Sequence, residues 1–177
     1  MRLLPVLGIT VAAASLAAAP AYAATITGTP GADTLTGTTS ADVITALAGP
    51  DVVHADAGDD VVRGGSDRDI LYGELGADQV FGGMGSDRLF GGPGNDTLDD
   101  AHGTAVDALR GGAGDDVIYA NWRDRIYGGV GNDRIVVAYP GAMEVDCGAG
   151  VDHVTFNQPH PHVLLVGCEH VRIVSAG

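Results

Sequence analysis

The sequence predicts an all-β fold of short strands and tight turns, and three observations carry that prediction. Asp recurs every nine residues, an aliphatic residue recurs two places after it, and glycine is dense throughout. The Asp series runs unbroken through Asp33, Asp42, Asp51, Asp60, Asp69, Asp78, Asp87 and Asp96. Its companion runs through Leu35, Ile44, Val53, Val62, Leu71, Val80, Leu89 and Leu98. An internal period of this kind sets the architecture before any local propensity does. Nine residues are too few for a unit containing a helix, and each of the 28 glycines would cost a helix about 1 kcal/mol. Thr, Val, Ile, Leu, Tyr and Phe fill the last three places of most blocks, where a short strand fits. Side chains alternate across a strand, so Leu71, Val80, Leu89, Leu98, Ile118 and Ile135 are expected inside and Arg88, Phe90, Tyr119 and Arg134 outside.

Taken in order, the chain begins with a segment that does not belong to the array. Met1 and Arg2 give a basic start, Leu3 to Ala19 is apolar, and Ala21-Tyr22-Ala23 has the small-x-small form that signal peptidase reads. Residues 1–23 are therefore expected to be a signal peptide cleaved before Ala24, and the protein to be secreted. A membrane anchor fits less well, because the apolar run is short, interrupted by Pro5 and Pro20, and followed by no stop-transfer charges. Residues 24–154 form the repeat domain. Its first copies, residues 28–62, keep the Asp and the aliphatic but lose glycines, so their turns are expected to be poor in ions. Complete blocks follow at GGMGSDRLF (82–90) and GGPGNDTLD (91–99). After residue 98 the ruler slips by two, then resumes in GGAGDDVIY (111–119) and GGVGNDRIV (128–136). Residues 155–177 are expected to cap the array with strands that lack such turns. Cys147 and Cys168 both fall near this end, and in an exported chain a disulfide between them is the simple inference.

These blocks resemble the haemolysin-type calcium-binding repeat of RTX proteins, GGxGxDxUx with U a bulky aliphatic. The resemblance spans roughly residues 28–154. It implies a right-handed parallel β-roll, a β-helix-like solenoid in which each block is a six-residue turn plus a three-residue strand and two blocks complete a coil. Alternate Asp residues then stack about 4.8 Å apart, the spacing of neighbouring strands. One column reads Asp33, Asp51, Asp69, Asp87; the other reads Asp42, Asp60, Asp78, Asp96, Asp116, Asp133 and Asp152. Stacked carboxylates repel by roughly 1 kcal/mol per pair in water and by more in less polar surroundings. Calcium removes the objection, since it takes six to eight oxygen ligands and mixes carboxylates with backbone carbonyls. The resemblance thus assigns Asp60, Asp69, Asp78, Asp87, Asp96, Asp116 and Asp133 as ligands of several calcium ions. Carbonyls around Gly65, Gly83, Gly85, Gly92, Gly94, Gly112, Gly114, Gly129 and Gly131 would complete the sites. At ANWRDRIY (120–127), one residue short and without glycines, Arg123 or Arg125 is expected to stand in for the metal beside Asp124.

Composition narrows the function classes. Nine basic residues, all Arg, face 23 acidic ones for a net charge of -14, which suits neither nucleic acid nor anionic membrane. Twenty of the acids are Asp, a bias toward turns and cation sites rather than solvated helices. No HExxH helix, GxSxG elbow or GK[ST] loop occurs, and 177 residues leave little room for a catalytic domain beside the array, so no enzymatic activity is expected. His153, His160, His162 and His170 read as a solvated cluster more readily than as a transition-metal site. The expected function is calcium-driven folding of a secreted protein. The alternatives are a cell-surface adhesion or array protein stiffened by calcium, with a protein or glycan partner that remains unnamed, and an ice or mineral binder using Thr27, Thr36 and Thr45.

Overall fold

The computed structural model describes residues 22–101, 105–138, 143–157 and 163–174. The expected signal peptide, apart from Tyr22 and Ala23, lies outside the described residues, as do His160 and His162. Among the described residues, seventeen strands alternate between two sheets, and every neighbouring pair is parallel. One sheet holds β1 (Thr25–Thr27), β3 (Val43–Ala48), β5 (Val61–Ser66), β7 (Gln79–Met84), β9 (Thr97–Asp99), β11 (Val117–Ala120), β13 (Arg134–Val137), β15 (His153–Phe156) and β17 (His170–Ile173), stacked in that order. The other holds β2 (Thr34–Thr36), β4 (Val52–His54), β6 (Ile70–Tyr72), β8 (Arg88–Pro93), β10 (Ala108–Ala113), β12 (Arg125–Val130), β14 (Met143–Ala149) and β16 (Val163–Val166). Two strands make a coil, and about eight coils stack into a β-solenoid.

The aliphatic ruler becomes the core. Ile44, Val62, Val80, Leu98, Ile118, Ile135 and Val154 lie in register up one sheet, and Val53, Leu71, Leu89, Leu109, Ile126 and Val145 up the other. All of them are fully buried. Ala46, Ala55, Ala120 and Val137 add to this core beside the ruler, and the space is narrow enough for a sequence poor in large aromatics to fill it. Outward neighbours brace the coils: His54, Tyr72 and Phe90 stack at 4.7 and 4.8 Å, and the Arg110 guanidinium lies over Phe90 and Tyr127.

The structure makes three expectations more exact. The strands are not uniformly three residues long, because in several coils pairing continues through the Gly-Gly dipeptide, as in Gly65 with Gly83 and Gly92 with Gly112. Those glycines have φ of 104 to 125°, and this lets the backbones of successive coils pack without a side chain between them. The C-terminal segment caps the roll as its terminal coil. β16 and β17 extend both sheets in register as the last coil, and the Cys147–Cys168 disulfide, Cα atoms 5.2 Å apart, ties that coil to the one before. The Thr rank is also split, since residues nine apart alternate between sheets: Thr27 pairs with Thr45, whereas Thr36 pairs with His54 in the other sheet.

Candidate metal centre

Each nine-residue block delivers its Asp to the corner where a turn meets a strand, and the 18-residue coil stacks these corners into two columns. The columns have the predicted membership. In the first, the backbone N–H of Asp33 donates to Oδ1 of Asp51, Asp51 to Asp69, Asp69 to Asp87, Asp87 to Asp107, and Asp107 to Asp124. In the second, the series runs from Ala24 to Asp42 and on through Asp60, Asp78, Asp96, Asp116, Asp133 and Asp152, ending on Glu169. Most of these bonds are 2.6 to 3.0 Å long. From Asp51 and Asp42 onward, one oxygen of each carboxylate is therefore committed to a peptide in the preceding coil.

The second oxygen tells the ladders' purpose. Oδ2 of Asp51, Asp60, Asp69, Asp78, Asp87, Asp96, Asp107, Asp116, Asp133 and Asp152 is buried and has no hydrogen-bond partner. A buried carboxylate oxygen left unmet costs several kcal/mol, and a repeated set of them would dismantle the fold unless something positive sits among them. Burial first, then the charge of the neighbouring carboxylates, pushes Asp69, Asp78 and Asp116 up to about 7 against the pull of the backbone N–H. Burial likewise raises Asp87 and Asp96 to about 6.

The orphan oxygen points to the first glycine of its own turn, a position absent from the expected ligand set. A Cβ on Gly73 would sit 2.5 Å from Oδ2 of Asp78 and 2.9 Å from the carbonyl oxygen of Gly91 in the next coil. A Cβ on Gly64 would meet Oδ2 of Asp69 at 2.5 Å and the Gly82 carbonyl at 2.7 Å. Gly91, Gly111 and Gly128 face Asp96, Asp116 and Asp133 in the same way. The first glycine thus keeps clear a niche lined by a carboxylate from one coil and a carbonyl from the next. The expected second and third glycines, Gly65, Gly83, Gly92, Gly112 and Gly129 with Gly85, Gly94, Gly114 and Gly131, all have positive φ and pack against the coil before. They shape the turn that holds the niche.

Two other expectations change at this site. The glycine-poor stretch is not uniform: Oδ2 of Asp33 accepts from Thr29 N–H and Oγ1, and Asp42 accepts from Thr38 N–H and Oγ1, yet Asp51 and Asp60 keep their orphan oxygens. Arg123 does not replace a metal at Asp124. The Asp124 oxygens are taken by the N–H groups of Asp107 and Asn121, the shortened turn having brought a peptide donor within 2.8 Å, and Arg123 stacks on Trp122 at 4.1 Å. Sequence reasoning also missed an outer ladder one residue before the Asp column. There Asn95, Asp115 and Asn132 side chains accept from Asp115, Asn132 and Val151 N–H.

The site is that of a parallel β-solenoid whose turns present rows of hard oxygen ligands with no cation of their own. The family model for the RTX calcium-binding nonapeptide repeat matches residues 27–62, 36–71, 63–98, 103–122 and 123–137, more than half of the chain. The chain belongs to that family, whose repeats bind calcium. A search of the curated proteins returned no match.

Proposed function

We propose that this protein is a secreted module that becomes compact by binding calcium ions in its glycine turns. The observation that supports this most directly is the unpartnered, buried Oδ2 repeated from coil to coil. Asp60, Asp69, Asp78, Asp87, Asp96, Asp116 and Asp133 would supply these oxygens, with the adjacent turn carbonyls. An all-oxygen donor set of carboxylates and carbonyls suits a hard cation, and calcium tolerates the irregular geometry that stacked turns offer. Ions that bind only the coiled chain convert their binding energy into folding energy. Without them the composition, acidic and rich in glycine, favours an unfolded chain.

The leader-like first 23 residues support export, and the disulfide suits an oxidising compartment where calcium is plentiful. A calcium-stiffened adhesion scaffold is the second reading, favoured by the aromatic and arginine ladder on the outer face of the even-numbered strands. The sequence holds no HExxH, GxSxG or GK[ST] motif. Circular dichroism of the purified protein tests the first reading: strand signal should appear on adding millimolar calcium to chelator-treated protein. Identical spectra and melting with and without chelator would refute it.

A further inference from the structure

The ruler slips after residue 98, and the slip places a carboxylate where the nine-residue spacing has none. Asp100 directly follows β9 and belongs to neither column. Its backbone is held on both sides, by its N–H donating to the Tyr119 carbonyl at 2.9 Å and by its carbonyl accepting from Asn121 Nδ2 at 3.1 Å. The side chain is 1% exposed, and neither oxygen has a hydrogen-bond partner. It is aimed into the first column: a Cβ on Gly82 would lie 2.9 Å from its Cγ and from both of its oxygens. At every other complete turn that space faces the turn's own Asp.

One oxygen from each of Asp87, Asp100 and Asp107 falls within 4.8 Å of the other two, and this is the one such trio among the described residues. Asp87 and Asp107 each spend Oδ1 on the ladder and keep Oδ2 unmet. Three carboxylates, which between them carry four unpartnered oxygens, therefore each bring an oxygen to one place, against one carboxylate oxygen and one carbonyl at an ordinary turn niche. With no donor among them, such a group persists in a buried place only with a cation or protons at its centre. The donors are all oxygen, which selects a hard divalent ion over a soft one, and calcium affinity rises with the number of carboxylates and with the rigidity of their backbone.

We propose that Asp87, Asp100 and Asp107 form a calcium site of their own at the repeat break, and that it is the tightest in the chain. It rests on the calcium reading above and adds which ion is held first and by what. That ion would link three segments, the start of β8, the end of β9 and the start of β10, across the point where the ruler slips. The break then serves as the anchor of the array rather than as a flaw in it.

Calcium titration of the chelator-treated full-length protein by isothermal calorimetry tests the site. Wild type should show one ion bound more tightly than the rest. In Asp100→Asn that ion should weaken by roughly tenfold or more while the remaining sites keep their affinities. Asp100→Ser should do the same, and it covers the case of an asparagine that fails to fold. Asp96→Asn should instead remove a weaker ion and leave the tight one. Retention of the tight ion in both Asp100 variants overturns the site, with protons as the occupants of the trio. A wild-type protein that binds no calcium at all overturns the repeat reading together with it, so the two failures are distinguishable.

Discussion

The turns at Asp33 and Asp42 and those from Asp69 to Asp133 share one ladder but meet their second carboxylate oxygen in opposite ways. In the first two, the peptide N–H of Thr29 or Thr38 meets Oδ2, with the Thr29 hydroxyl adding a bond to Oδ2 of Asp33 and the Thr38 hydroxyl one to Oδ1 of Asp42. In the glycine turns of Asp69, Asp78, Asp87, Asp96, Asp116 and Asp133, glycine supplies nothing, and the oxygen is left buried and unmet. A threonine turn is complete as a piece of polypeptide, whereas a glycine turn is complete only with an ion. The same nine-residue spacing thus encodes a self-sufficient end and a metal-dependent middle, and the distinction rests on whether the residue four places before the Asp turns its peptide N–H toward Oδ2.

Asparagine at matched positions should break this comparison most sharply. Asp96→Asn should lose one bound calcium and about 2.7 kcal/mol of stability at a calcium concentration 100-fold above the dissociation constant. Asp42→Asn should lose no ion and about 1 kcal/mol, the worth of its hydrogen bonds. Chemical denaturation in calcium and in chelator would measure both, and equal calcium dependence in the two variants would erase the distinction.

Acidity should sharpen it. In metal-free protein Asp69, Asp78 and Asp116 have folded-state values near 7, raised by burial from 3.8. The folded form therefore holds protons that the unfolded form releases, and stability falls as pH rises from about 4 through about 7. Chelated protein should thus gain strand signal as it is taken from pH 8 to pH 5. Calcium affinity should move the other way, weakening below about pH 7 as protons compete for the same oxygens. An apo protein equally unfolded at both pH values would count against buried, unmet carboxylates.

The smallest effect is expected at Leu47, which occupies the place of a second turn glycine with φ at 86°. Leu47→Gly should stabilise the protein by about 1 kcal/mol, in chelator as in calcium, because it relieves a left-handed backbone and touches no ligand. A rise in melting temperature under both conditions would show it.

Periodicity made the columns and the core legible because a register is a sequence property: Asp69 must stack on Asp87 once two blocks make a coil. The division of labour between Oδ1 and Oδ2 was not legible, since both oxygens belong to the same letter and only the stacked coil gives them different surroundings. For the same reason the first glycine of each turn went unassigned. Its role lies in the volume it leaves for a side chain five residues away. Reading failed most at the irregular copies. Asp100 drew no reading, and Arg123 or Arg125 was expected as a counterion, because a slip or deletion in the ruler cancels the rule that places side chains.

The ladder bond also has a grammar of length. Between Asp33 and Asp96 each Asp clasps a partner 18 residues away, its side chain on one peptide N–H and the following N–H on the same partner's carbonyl, as Asp87 and Arg88 do to Asp69. Excising 18 residues anywhere in that stretch rejoins every clasp in kind and shortens the rod by about 4.8 Å. Beyond Asp96 the steps become 20, 17 and 19 residues, so the same excision there would put unlike residues face to face. One half of the molecule can therefore vary in length by whole coils through simple duplication or loss, while the other half is fixed in its present count.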